Sequence, residues 1–170
     1  MPSIIRPRVF LEFSAGTEPI GRLVVELFVD QTPRTCENFR VLCTGTKPPL
    51  SYRQSPIARV IENFVIQAGD TSKSDGTGGV SIYGDTFEEE NLLWKEIDAP
   101  GLFIMANWGK DTNGSRFLIT LAPCLHLTGK HTVFGHLISG QTTLDRILEV
   151  PREKNGQPTI PILISHCGEL

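Results

Sequence analysis

The sequence predicts a fold dominated by β-structure: about eight short strands, in a closed barrel or a sandwich, with two helices. Apolar runs of strand length recur along the chain, separated by glycine, proline and asparagine turn signals. Only two stretches carry the three-to-four-residue apolar spacing of a helix lying on a hydrophobic body. They are far apart in sequence, which would suit the two open ends of a barrel. At 170 residues the chain is expected to form one domain, 1–170, with a sizeable core. Its 39% of hydrophobic residues argues against disorder.

Val9-Phe10-Leu11-Glu12-Phe13 is rich in strand formers, and Gly16-Thr17-Glu18-Pro19 breaks it. Gly21 to Leu27 is a second strand, so the two should form an antiparallel hairpin with a somewhat long loop. A helix follows. Thr32 is a candidate N-cap, and Pro33 takes the first helical position, where its missing N–H costs nothing. Cys36, Phe39, Val41, Leu42 and Cys43 form its apolar stripe, and Gly45 can end it. Lys47-Pro48-Pro49-Leu50 is loop.

From Arg59 to Asp70 two short strands meet at a tight connection. Arg59-Val60-Ile61 ends one, Glu62-Asn63 turns, and Phe64-Val65-Ile66 opens the next. Strand alternation puts Phe64 and Ile66 on one face and Val65 and Gln67 on the other. A charged guanidinium and a neutral amide thus lie beside apolar groups, the make-up of a small binding site. From Gly69 to Gly84 the chain is polar and glycine-rich. It contains no phosphate-cradling motif, so it reads as a shaped loop whose glycines permit positive φ.

Phe87-Glu88-Glu89-Glu90-Asn91 is an acidic run, expected on a solvated surface. Leu102 to Ala106 is a strand. Asn107 to Ser115 is a polar loop with an Asn113-Gly114 turn signal, and Phe117 to Thr120 is the next strand. Leu125 to Lys130 turns the chain, and Thr132 to Ile138 is a strand. Thr142 to Val150 is the second helix, stopped by Pro151. Thr159 to Cys167 is the last strand, with Pro161 pointing to an edge or a first-residue position.

The net charge of −3 argues against a general binder of nucleic acid or anionic membranes. No apolar run approaches the roughly 18 residues of a membrane-spanning helix. The stretch from Met1 to Arg8 lacks the apolar run of a signal peptide, so the expected location is cytoplasmic or nuclear. Cys36, Cys43, Cys124 and Cys167 form no C-x-x-C pair and read as free, buried thiols. Asn113-Gly114-Ser115 matches a glycosylation acceptor but reads as a turn.

Three chemistries find no support. His126, His131 and His136 are five apart, a spacing that flips the face on a strand and misses the three-or-four spacing of helical ligand pairs. No metal site is expected. No G-x-S-x-G elbow occurs, and nothing in sequence near Ser115 offers a general base. No cysteine has an activating charged neighbour. What remains is apolar pocket material, one arginine, several amides and shaped loops. An enzyme so equipped would run a reaction needing no nucleophile, metal or cofactor.

Rotation about an X-Pro peptide bond is such a reaction, and the chain resembles the cyclophilin family of peptidyl-prolyl isomerases. The likeness runs from about Val9 to Leu170, in family order. It includes Gly21 to Leu27, Pro33 to Phe39, Arg59 to Asp70, Gly76 to Gly84, Phe87 to Asn91, Pro100 to Asn107, Thr112 to Ser115, Gly129 to Gly135 and Cys167 to Leu170. The resemblance implies an eight-stranded antiparallel closed β-barrel capped by two α-helices. It implies no cofactor, and proline-containing peptides and proteins as substrates. Arg59 matches the family's catalytic arginine. Phe64, Leu118 and Leu127 would line the proline pocket, with Val65 nearby. Gln67 and the Asn107 backbone would hold substrate carbonyl and amide groups, and His131 would complete the rim. Ala106 and Gly76 would border the pocket for residues upstream of the proline.

The chain departs from the family pattern at several of these positions. Leu118 stands where a second phenylalanine is usual, Val65 where methionine is common, Ala58 where a histidine precedes the arginine, and Arg116 where glutamine is usual. Trp108 replaces a small residue on the groove wall. His126 replaces a tryptophan that many members use to bind cyclosporin, so weak cyclosporin binding is expected. These changes predict a working but slower isomerase with shifted peptide preference. They also leave open a scaffold that docks proline segments with little turnover. The closing segment from Leu148 to Leu170 resembles the branch that includes spliceosome components, or the larger chaperone-associated branch. A monomer is expected.

Overall fold

The structure is a computed structural model that describes residues 4–170; the first three residues of the amino-terminal stretch read above lie outside them. Its strands are β1 (Arg8–Ala15), β2 (Glu18–Leu27), β3 (Ile57–Ile61), β4 (Val65–Ala68), β5 (Leu102–Met105), β6 (Phe117–Thr120), β7 (Val133–Ser139) and β8 (Ile162–Glu169). Its helices are α1 (Pro33–Thr44) and α2 (Gln141–Glu149), with a single 3-10 turn at Leu125–Leu127. All ladders are antiparallel, and the strand order is β3-β4-β6-β5-β7-β2-β1-β8. The two end strands meet through a bridge between Pro56 and Leu163. Gln54 N–H donates to the Ile164 carbonyl at 2.7 Å, and Ile164 N–H to that of Ser55 at 2.9 Å. The sheet is therefore a nearly closed barrel, and the closed-barrel alternative of the sequence reading holds over the sandwich.

Alternation fills the interior. Val9, Leu11 and Phe13 on β1 and Leu23, Val25 and Leu27 on β2 are buried, while the residues between them face outward. Helix α1 covers one end of the barrel, and Cys36, Phe39, Leu42 and Cys43 enter the core. The Phe39 ring lies 4.9 to 6.0 Å from those of Tyr52, Phe103, Phe117 and Phe134. Helix α2 packs on β2 and inserts Leu144 and Ile147. Its approach needs Gly140, whose φ is +113° and whose place a side chain could not share with the Arg22 carbonyl.

Three local expectations need correction. The first hairpin loop is short, only Gly16 and Thr17, because β2 begins at Glu18 and Ala15 pairs with Glu18. Thr32 is the N-cap of α1 by position, but its side chain makes no cap bond; its hydroxyl donates to the Phe28 carbonyl at 3.3 Å. The cap comes from the acidic run. Glu90 accepts from the backbone N–H of Arg34 at 3.1 Å, and from the N–H and hydroxyl of Thr35 at 2.9 Å each. The run is thus not merely solvated: Phe87 is buried, Glu89 accepts from Asp111 N–H, and Glu90 meets the orphan donors and positive dipole end of a helix.

Cys36, Cys43 and Cys124 are buried and Cys167 is half-buried, all as free thiols. Burial pushes the Cys36 thiol up to about 12 and Cys43 well above its ordinary value, so both are poor nucleophiles. Asn113 is fully buried, and its backbone pairs with that of Phe87 in a short bridge.

Candidate active site

Register builds the site on the outside of the barrel. Arg59 pairs with Gln67, Gln67 with Leu118, Leu118 with Ile104 and Ile104 with Val133, so these five form one row across β3, β4, β6, β5 and β7. Residues directly opposite one another share a face. The adjacent row, Val60, Ile66, Ile119 and Phe103, lies in the barrel core, which fixes the first row as outward. Val65, Leu102, Ile104 and Val133 join Phe28, Ile97 and Cys124 in a second buried cluster on this outer side. Phe64, Trp94, Leu118 and Leu127 are partly buried against it. The four apolar residues expected at a proline pocket, Phe64, Val65, Leu118 and Leu127, are therefore brought together.

The expected pairing of Phe64 with Ile66 on one face does not occur. Ile66 is in the barrel core, while Phe64 sides with Val65 on the outer cluster. Phe64 belongs to the hairpin loop and not to the strand. Asn63 is left-handed, with φ +61°, and Phe64 N–H returns to the Ile61 carbonyl at 3.0 Å. Alternation starts only at Val65, so it cannot be carried back across that turn.

The polar edge has two cations and an amide. Arg59 is exposed and makes no ion pair or side-chain hydrogen bond among the described residues. Gln67 Nε2 donates to the Gly76 carbonyl at 3.2 Å, and Arg116 Nη1 donates to the same oxygen at 3.2 Å. Arg116 is buried, which pulls its guanidinium down from its ordinary value, and it lies 4.4 Å from the centre of the Trp108 ring. Gly76 has φ +87°, and a Cβ there would come 3.0 Å from the Ala58 Cβ and 3.3 Å from Gln67 Nε2.

Asp70 shapes the loop that presents Gly76. Its carboxylate accepts backbone N–H groups from Ser72, Lys73, Asp75, Gly76 and Gly78 at 2.8 to 3.3 Å. Burial alone would raise this carboxyl, but the N–H groups of Lys73, Gly78, Ser72 and Gly76 override it and hold it well below the usual carboxylate range. The sequence reading assigned Asp70 no role. The available signal was an aspartate opening a polar, glycine-containing stretch, the composition of a side-chain-closed turn.

On the facing wall, Asn107 is anchored by its side chain. Nδ2 donates to the Lys130 carbonyl at 2.9 Å, and Oδ1 accepts from Gly109 N–H at 3.2 Å. The backbone N–H and C=O of Asn107 have no partner among the described residues. Ala106 is buried, and its N–H donates to the Arg116 carbonyl at 3.1 Å. His131 is half-buried, with Nδ1 2.8 Å from the Met105 carbonyl, so Nδ1 carries the hydrogen. Burial holds the ring's pKa below its ordinary value, against the Met105 bond, which raises it. His126 is exposed, its ring stacked on Phe64 at 5.5 Å. Trp108 is 66% exposed. Trp94, missed by sequence reading, donates its indole N–H to the Val133 carbonyl at 3.0 Å and backs the apolar cluster.

Arg59, Gln67 and Leu118 thus stand in one outward row beside the outer apolar cluster that gathers Phe64, Val65 and Leu127, and the Asn107 backbone has no partner among the described residues. Such a face can hold an extended peptide and place a cation against it. Ser115, weighed as a nucleophile, is buried and donates its hydroxyl to the Gly69 carbonyl at 2.6 Å.

The family model described as cyclophilin type peptidyl-prolyl cis-trans isomerase/CLD matches residues 10–169. The chain is similar to "Peptidyl-prolyl cis-trans isomerase 11" of Caenorhabditis elegans, 48% identical over 168 residues that cover 96% of this chain and 91% of the worm protein.

Proposed function

We propose, from the premise that the chain belongs to the cyclophilin family of peptidyl-prolyl cis-trans isomerases, how its outer face turns the X-Pro bond. The chain is an isomerase that binds proline-containing peptides and proteins and assists folding by interconverting their X-Pro bonds. The barrier is about 18–20 kcal/mol because resonance gives the C–N bond double-bond character. Twisting the bond breaks that resonance and localises a lone pair on the prolyl nitrogen. A donor aimed at that nitrogen stabilises the twisted state more than either planar state, which is the condition for catalysis.

Arg59 is that donor in this reading. The observation that carries it is that Arg59 has no hydrogen-bond or ion-pair partner among the described residues while standing in one outward row with Gln67 and Leu118. The proline ring sits on Phe64, Leu118 and Leu127, with Val65 nearby. Gln67 and the Asn107 backbone hold the peptide on either side, and His131 closes the rim as a neutral ring. The test is cis/trans exchange of a short X-Pro peptide followed by NMR, with the wild-type chain and with Arg59→Ala. Faster exchange that the variant loses supports the assignment; exchange that the variant keeps refutes it.

A second reading is favoured by Leu118, Trp108 and Arg116: a module that docks proline segments with reduced turnover, as part of a protein complex in nucleus or cytosol. Peptide shifts without faster exchange would select it. We also propose weak cyclosporin binding, because His126 offers a smaller ring than tryptophan and stacks it on Phe64. The chain acts as a monomer in this reading.

A further inference from the structure

We infer that Arg116 is a specificity-determining residue that selects substrates carrying a carboxylate two residues from the proline, on the Gly76 side. The inference rests on the reading of the outer face as the peptide groove. Arg116 is only 6% exposed. Burying a guanidinium is costly unless an anion or a full set of acceptors meets it. Neither does. Among the described residues Arg116 is in no ion pair. Asp70 acts on it through space, but its oxygens are taken by backbone N–H groups. Of the five N–H donors of an arginine, one is spent on the Gly76 carbonyl.

The unused donors are not sealed away. The only side-chain nitrogen and oxygen atoms both buried and unpartnered among the described residues are those of Asn113. The free nitrogens of Arg116 are therefore not fully enclosed. Trp108 covers one side of the group, its ring centre 4.4 Å from the guanidinium carbon of Arg116. The N–H groups left open match the two oxygens of a carboxylate.

Position supplies the register. Arg116 extends the β6 ladder by one step, through its carbonyl to Ala106, and shares the face of Leu118 two residues on. Two strand residues span roughly 7 Å, which is also two residues of an extended peptide. A peptide that runs alongside β6 with its proline against Leu118 brings the side chain two positions away to Arg116. Gln67 and Arg116 meet at one carbonyl, so the amide that holds the peptide backbone and the cation that reads its side chain are fixed to the same point.

The test compares proline peptides with Glu, Gln or Lys two positions before the proline, and the same three residues two positions after it. kcat/KM is read by NMR exchange at low and at high salt. The wild-type chain should prefer Glu to Gln by about tenfold, the scale of one charge-assisted hydrogen bond, with Lys poorest. The preference should appear on one side of the proline only. In Arg116→Gln, a residue usual at this place in the family, the Glu-to-Gln ratio should fall to near one whatever the absolute rate. Arg116→Lys should keep a reduced ratio. Equal rates for Glu and Gln in the wild type, or a ratio that survives in Arg116→Gln, would overturn the inference. The Gln peptide alone tests the groove: if wild type and Arg59→Ala exchange it equally, the catalytic reading fails, whereas a flat Glu-to-Gln ratio with that difference intact sinks only the role of Arg116.

Discussion

Arg59 stands directly opposite Gln67 in the β3–β4 ladder, yet only Gln67 is committed, to the Gly76 carbonyl. The guanidinium has no hydrogen-bond or ion-pair partner among the described residues, so removing it breaks no polar contact there. Arg59→Ala should lower kcat/KM by about 10²–10³-fold, the usual cost of losing one preorganised donor. Its unfolding midpoint in urea should match that of the wild type. A large loss of stability would show that Arg59 has a structural role instead.

Asp70 holds its loop only as a carboxylate. Its folded pKa lies below the unfolded value of about 3.9, so its contribution is fully present above that pH and is lost as the pH falls toward the folded value. Asp70→Asn should cost about 1–3 kcal/mol near neutral pH. It should also flatten the acid limb of stability below about pH 4. Urea titrations between pH 3 and 7 measure both.

Glu90 caps α1 from more than fifty positions away. Glu90→Ala should destabilise by about 1 kcal/mol, as loss of an N-cap does. Hydrogen exchange should speed up at the amides of Arg34 and Thr35 before the rest of the helix. Unchanged protection at those two amides would count against the cap.

Leu118 is half-buried at the rim of the apolar cluster and is not part of the barrel core, so a larger ring can be accommodated there. Leu118→Phe should raise kcat/KM on X-Pro peptides and tighten their binding. His126→Trp should strengthen cyclosporin binding, read by titration of tryptophan fluorescence. A weaker or unchanged response in both variants would mean that the pocket is limited elsewhere.

His131 should titrate below 6.5 by NMR, because burial opposes its charged form. The sign for stability follows. The neutral ring carries no penalty above about pH 6.5, and stability drops as the pH falls from there toward the depressed folded value. His131→Gln should lose this part of the pH dependence.

Much of this was legible in the chain. Phe117 to Thr120 came out with its observed bounds because turn-rich segments bracket it. Pairing rows were not legible, since register depends on which strands become neighbours. Phe64 shows the limit of local rules: alternation does not extend back across the left-handed Asn63. Glu90 was read as surface because its partner lies in a distant helix, and sequence spacing carries no trace of that contact. Only resemblance to the family singles out the apolar four; composition alone cannot tell them from core.

The first strand of the barrel has its second neighbour at the far end of the chain. β1 lies between β2 and β8, and Leu170 N–H donates to the Arg8 carbonyl at 2.9 Å. On the ribosome, β1 and β2 can pair early, but one edge of β1 stays bare until residues 162–169 have left the exit tunnel. Until then the isomerase is itself an unfinished sheet with an open edge, the kind of edge that pairs with other chains.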